Sequence, residues 1–195
     1  MSKRILVIQG HPDKNPARLC SALLAAYTQG AQAAGHSVRQ LILADLDFPL
    51  LRTADEWQNG PTPKGLIQAQ EDIFWAQHLV LFFPLWLGDM PALLKGFLEQ
   101  VARPGFAFNG DDTNPFAHKG LAGRSARVVV TMGMPALVYR WYFRAHSLKS
   151  LERNILGFVG IGPIDETLIG MVGALQPKDG QKWLNKMTAL GRQGI

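Results

Sequence analysis

One cysteine, Cys20, occurs in 195 residues. A single thiol excludes an intrachain disulfide framework and a cysteine-rich zinc cluster. No apolar run reaches the ~18 residues of a membrane-crossing helix, so no membrane span is expected. Charged residues make up only 18% of the chain, and the net charge of +5 comes from scattered Lys and Arg. A nucleic-acid surface concentrates such charge on one face. Nucleic acid is therefore not an expected partner, whereas an anionic small molecule suits the charge equally well. A Walker loop and a G-x-G-x-x-G fingerprint are both missing, as is a G-x-S-x-G nucleophile elbow. The five histidines (His11, His36, His78, His118 and His146) form no local metal-ligand motif, and no metal site is assigned. Met1-Ser2-Lys3-Arg4 leads straight into a strand-like run and not into the longer apolar region of a signal peptide. A cytoplasmic location is the expectation.

What is present centres on residues 79–101, LVLFFPLWLGDMPALLKGFLEQV. The first part is a short apolar run ending at Pro84, the pattern of a buried parallel strand. In the second, Leu93, Leu94, Phe97, Leu98 and Val101 recur at helical spacing, with Lys95, Glu99 and Gln100 turned elsewhere. Asp89 is the expected N-cap, with Pro91 in the first turn. The connecting loop, residues 84–88, holds more bulky apolar side chains than a solvated turn needs. Two readings fit it: a wall for a flat ring, or a connection packed under its neighbours.

The rest of the chain alternates. Strands are expected at 4–9 (RILVIQ), 36–43, 126–132 and 164–169, and helices at about 17–34, 64–77, 146–158 and 178–190. Leu66, Ile67, Ile73 and Phe74 are placed on the inner face of the second of these helices. Gly30 should weaken the first helix locally, and Gly35 suits its C-terminal end. Residues 45–63 and 104–124 read as long connections, and 134–143 as an irregular, aromatic-rich stretch. No repeat or domain boundary interrupts the pattern, so residues 1–195 form one domain. Alternation of this kind gives an α/β fold with a parallel sheet, whose ligands gather at the carboxyl ends of the strands. Three loops reach that edge, at 10–18, 84–89 and 132–139.

The first of these loops precedes a helix, whose unpaired N–H groups suit a phosphate. His11, Asn15 and Arg18 add donors there; a solvated turn is the other reading. Thr131 and Gly133, with the apolar second loop, could sandwich a ring. A phosphate site beside a flat-ring site suggests a flavin nucleotide. Cys20, early in the first helix, has no local catalytic partner and reads as packing. The acid pairs Asp45 with Asp47 and Asp111 with Asp112 read as solvated loop residues. Arg140, Arg144 and Arg153 read as helix-face charges more readily than as a 2′-phosphate site.

Several stretches, taken in order, resemble the flavodoxin-like NAD(P)H:quinone oxidoreductase family. They are Gly10-His11-Pro12, Asp45-Leu46, Phe83-Pro84-Leu85-Trp86, Met90-Pro91-Ala92-Leu93-Leu94-Lys95-Gly96, Gly105-Phe106-Ala107-Phe108 and Gly120-Leu121-Ala122-Gly123-Arg124. The resemblance implies a flavodoxin-like three-layer sandwich, with a five-stranded parallel sheet ordered 2-1-3-4-5. It also implies a homodimer, a bound FMN or FAD, and NAD(P)H as co-substrate. His11, Arg18 and Leu19 would lie near the flavin phosphates. Pro84, Leu85, Trp86 and Leu87 would border the ring on one side, and Thr131, Met132, Gly133 and Met134 on the other. Tyr139 and His146 are the candidates for assisting hydride transfer. The implied activity is ping-pong reduction of a quinone-like acceptor. The rival reading is a flavin-binding regulatory partner of another protein, such as a transporter, with weak reductase activity.

The sequence departs from the family's pattern at Arg18, at Met132-Gly133-Met134 and after Tyr139.

Overall fold

The structure, a computed structural model, describes residues 1–109 and 118–195. Asp111 and Asp112 lie outside the described residues. Five strands form one parallel sheet: β1 (Arg4–Gln9), β2 (Ser37–Ile42), β3 (His78–Pro84), β6 (Ser125–Thr131) and β7 (Ile164–Ile169). Their order is β2-β1-β3-β6-β7, the arrangement expected from the resemblance. A two-residue pair, β4 (Phe108–Asn109) with β5 (His118–Lys119), forms a separate small ribbon.

Alternation along the central strands divides the core. Ile5, Val7, Val80, Phe82 and Val129 face α1 (Leu19–Ala33) and α7 (Pro177–Gln193). Leu6, Ile8, Leu79, Leu81, Phe83, Val128 and Val130 face the other way. That side is covered by α3 (Ile67–Trp75), α4 (Ala92–Val101), α6 (His146–Ser150) and the π-helical turn Leu151–Leu156. Every residue of β3 is buried, as a central strand covered on both faces requires.

Some local expectations hold and several are corrected. Gly30 is also a contact: a Cβ there would lie 2.1 Å from the Thr188 carbonyl oxygen of α7. Gly35, as expected, ends the first helix, taking the left-handed conformation just past α1 with φ +79°. Ile67 and Phe74 are exposed, because the buried stripe of α3 runs through Ala69, Asp72 and Ile73. Gln100 is buried, donating to the Pro49 carbonyl at 2.6 Å. The connections hold helices that lack strong signals, α2 (Ala54–Gln58) and α5 (Ala136–Trp141). Asp89 does not cap α4. That helix begins at Ala92 with Pro91 as its N-cap, and the Asp89 carboxylate accepts from the Met90 N–H instead.

Candidate functional site

The carboxyl ends of β1, β3 and β6 lie side by side, so their following loops share one edge. The winding reverses between β1 and β3, which makes this the switch point of the sheet.

The β1–α1 loop is stitched by its own side chains. Asp13 Oδ1 accepts from Asn15 N–H at 2.9 Å, and Asn15 Oδ1 from Ala17 N–H at 2.9 Å. Arg18 Nε donates to Asp13 Oδ2 at 2.7 Å. Local side-chain turns of this kind hold a short polar loop in one shape. The backbone bond to Asn15 and the arginine together hold the Asp13 carboxyl below its usual range. His11 is buried, and its Nδ1 accepts from Asp13 N–H at 3.0 Å. Burial lowers its pKa, so the ring is neutral near pH 7, with its proton on Nε2. Its ring stands edge-on to Trp86, with centroids 5.6 Å apart.

The β3–α4 connection turns within four residues. Trp86 N–H donates to the Asp89 carbonyl at 2.8 Å, and Asp89 N–H returns to Trp86 at 3.0 Å. Leu87 and Gly88 between them have φ of +49° and +82°, the signature of a type I′ turn. A left-handed leucine costs roughly 1–2 kcal/mol. Leu87 is also fully exposed, so no burial offsets that cost locally. Strain of this kind clusters at ligand sites. Leu85 is committed differently: its N–H donates to the Thr131 carbonyl at 2.7 Å.

After β6 the chain splits its roles. Met132 is 2% exposed; its side chain lies in the core, and its N–H donates to the Ile169 carbonyl. Gly133 is exposed, and a Cβ there would meet nothing within 4 Å. Tyr139 on α5 is also 2% exposed, and its hydroxyl accepts from Leu148 N–H at 3.2 Å. Burial pushes its phenol above the ordinary range. His146 opens α6 after two left-handed residues, Arg144 and Ala145.

These loops enclose a cavity of about 340 Å³ lined by Leu87, Gly88, Met134, Tyr139, Phe143 and His146. That lies in the range of small-molecule sites, roughly 300–1,000 Å³. Among the described residues, the N–H groups of Leu87, Gly88, Gly133 and Met134 have no protein acceptor. Such donors, on two adjacent loops, can bind the polar edge of a planar ligand. A smaller cleft of about 220 Å³ between Trp57, Leu98, Phe108 and Phe158 has Lys95 and Glu99 as its charged groups, paired with each other.

The structure thus brings Leu87, Met134, Tyr139 and His146 to one cavity, with Trp86 and His11 in mutual contact. Pro84 and Thr131 are buried strand ends. Leu19 is half-buried at the start of α1, and Arg18 is exposed and paired with Asp13. Arg140 is paired with Glu166. Sequence reasoning missed Gly88 and Phe143 as lining residues. The Leu-Gly pair between Trp86 and Asp89 was a turn signal, weakened because Asn or Asp normally precedes the glycine.

Proteins whose ligand loops cross a parallel sheet's carboxyl edge at this switch point, with the order seen here, are flavodoxin-like. The relation is one of family as well as fold. The sequence model described as "Flavodoxin-like fold" matches residues 3–190, and the chain belongs to that family.

An uncharacterized NAD(P)H oxidoreductase of Haemophilus influenzae is 27% identical over 95% of this chain and 96% of its own length. The FMN-dependent NADH:quinone oxidoreductase 1 of Colwellia psychrerythraea is 29% identical over 53% of this chain and 50% of its own. Among solved structures, the NAD(P)H:quinone oxidoreductase of Methanothermobacter marburgensis superposes with a TM-score of 0.81. It covers 99% of this chain and 97% of that one at 21% identity, a likeness of fold.

Proposed function

We propose that the protein is a flavin-dependent NAD(P)H:quinone oxidoreductase, with FMN as its cofactor. The observation that carries this reading is the cavity between the loops that follow β3 and β6, with four backbone donors left open beside it. The residues present fit a flavin. Leu87, Gly88, Gly133 and Met134 offer N–H groups to the polar edge of the ring, and Trp86 and Leu87 offer apolar surface. The α1 N-terminus and the His11 Nε2 proton suit a phosphate. Arg18 reaches that phosphate by leaving Asp13, an exposed pair whose exchange costs little. FMN is chosen over FAD because the Colwellia relative is described as FMN-dependent.

When bound, the flavin supplies hydride relay between NAD(P)H and a quinone-like acceptor in ping-pong order. The chain's own groups bind the ring, exclude water from the cavity, and orient whatever enters beside Tyr139 and His146. Leu137 and Trp141 on α5, with Tyr142 just after it, leave an exposed apolar surface next to the cavity. A second copy of the chain covering it would make a homodimer and narrow the cavity mouth.

The experiment is an anaerobic absorbance spectrum of the purified protein, before and after NADH or NADPH. Visible flavin absorption that bleaches on addition of the nicotinamide, and returns on addition of a quinone, supports the reading. A colourless protein that takes up neither FMN nor FAD sinks it. Trp86→Ala should weaken FMN retention; unchanged retention removes Trp86 from the site.

A further inference from the structure

Asp89 closes the Trp86–Asp89 turn through its backbone, while its side chain reaches across to another element. Oδ1 accepts from Met90 N–H at 2.6 Å and also from the Ser147 hydroxyl of α6. Ser147 is buried. A serine hydroxyl has one proton, and here it goes to Asp89. The Tyr139 hydroxyl accepts from Leu148 N–H. The first turn of α6 is thus bonded on two sides, Ser147 to Asp89 and Leu148 N–H to Tyr139.

We propose that Asp89 is a positioning residue for the ligand cavity. Through Ser147 it clamps the turn carrying the open Leu87 and Gly88 donors onto the helix that starts at His146. The two walls of the cavity, Leu87 with Gly88 and Tyr139 with His146, then keep a fixed separation. α6 has only five residues, and the two before it are left-handed, so this bond ties its first turn to the loop across the cavity. A carboxylate acceptor is the stronger kind of hydrogen-bond partner for such a clamp. This rests on the flavin reading for its ligand, and the clamp is also testable without one.

The test compares Asp89→Ala, Ser147→Ala and Asp89→Asn, reading FMN affinity by titration of the flavin-free protein and Leu148 amide exchange by NMR without flavin. Asp89→Ala and Ser147→Ala should each weaken FMN binding about tenfold and speed Leu148 exchange, the loss of one charge-assisted bond. Thermal midpoints should change little, since the core is untouched. Asp89→Asn keeps an acceptor oxygen and should restore affinity to within about threefold, which separates placement from charge. If Asp89→Ala fails to fold, Ser147→Ala carries the test, because it leaves the Met90 bond in place. Wild-type FMN affinity in both alanine variants overturns the proposal. Should the wild-type protein bind no flavin, the functional reading fails, and Leu148 exchange alone decides the clamp. Unchanged Leu148 exchange then overturns it.

Discussion

The Cys20 thiol sulfur lies 3.2 Å from the Thr131 hydroxyl, linking the first turn of α1 to the last residue of β6. Both residues are buried. Burial pushes the thiol up to about 11, and the Thr131 bond offsets only part of that rise. A helix N-terminus lowers a thiol pKa where the sulfur is solvated; here desolvation wins. The pair is a strut between two loop-bearing elements, not a nucleophile.

Cys20 should therefore resist alkylation. At pH 8 the native protein is expected to react with iodoacetamide at least about a hundredfold more slowly than a free thiol, since the thiolate is the reactive form. Adding denaturant should restore the normal rate. Mass spectrometry of the modified chain checks this, and fast native labelling would mean that the α1–β6 junction opens.

The α1–α7 contact rests on paired glycines. A Cβ at Gly30 would lie 2.1 Å from the Thr188 carbonyl oxygen, and one at Gly191 would lie 2.1 Å from that of Tyr27. Each obstacle is backbone, which cannot rotate aside. Gly191→Ala should destabilise the protein by about 2 kcal/mol or more, an overpacking cost that outweighs alanine's better helix propensity. Urea unfolding measures it. A gain in stability would show that the helices separate without penalty.

How the fold could be read from the chain follows from where its signals lie. Runs such as RILVIQ and LVLFFP are apolar because both sheet faces are covered, and that alternation with helices specified the layers. Gln100 and Phe74 were misplaced because periodicity alone cannot see that the Pro49 carbonyl needs a donor, or that the α3 stripe is shifted. The site was legible as three loops, but its inner connections were not. Asp89 and Ser147 are 58 residues apart, and no local spacing signals a bond between them. Met132 and Met134 look equivalent in the sequence. Only the pairing of Met132 with β7 turns one into the core and leaves the other at the cavity.

His78 makes stability depend on pH. Burial is the main cause of its pKa falling to about 4, assisted by the charges of Lys3, Arg127 and His36. Its Nδ1 pairs with Ser125 Oγ at 2.8 Å, and Nε2 has no partner among the described residues. The unfolded state keeps a pKa near 6.5, so between pH 6.5 and 4 it binds more protons than the folded state. Stability should rise with pH across that window, by about 3 kcal/mol from this residue. It should be fully present above about pH 6.5. His11, also lowered by burial, acts in the same direction. His78→Asn, which can still bond Ser125, should flatten the profile of unfolding free energy between pH 4 and 6.5. An unchanged slope would assign the acid sensitivity elsewhere.

Leu87 separates stability from binding most directly. Its left-handed backbone costs roughly 1–2 kcal/mol for a leucine, and full exposure returns nothing in the protein alone. Leu87→Asn creates Asn-Gly at the two central turn positions, the pair best suited to a type I′ turn. The variant should be more stable by about 1 kcal/mol in urea unfolding of the flavin-free protein. Under the flavin reading, it should also bind FMN or the acceptor several-fold more weakly, because apolar surface at the cavity wall is lost. A gain in stability without loss of affinity would leave Leu87 strained for no ligand. No gain in stability would mean that the turn relaxes its leucine by some other route, and the link between strain and site would fail there.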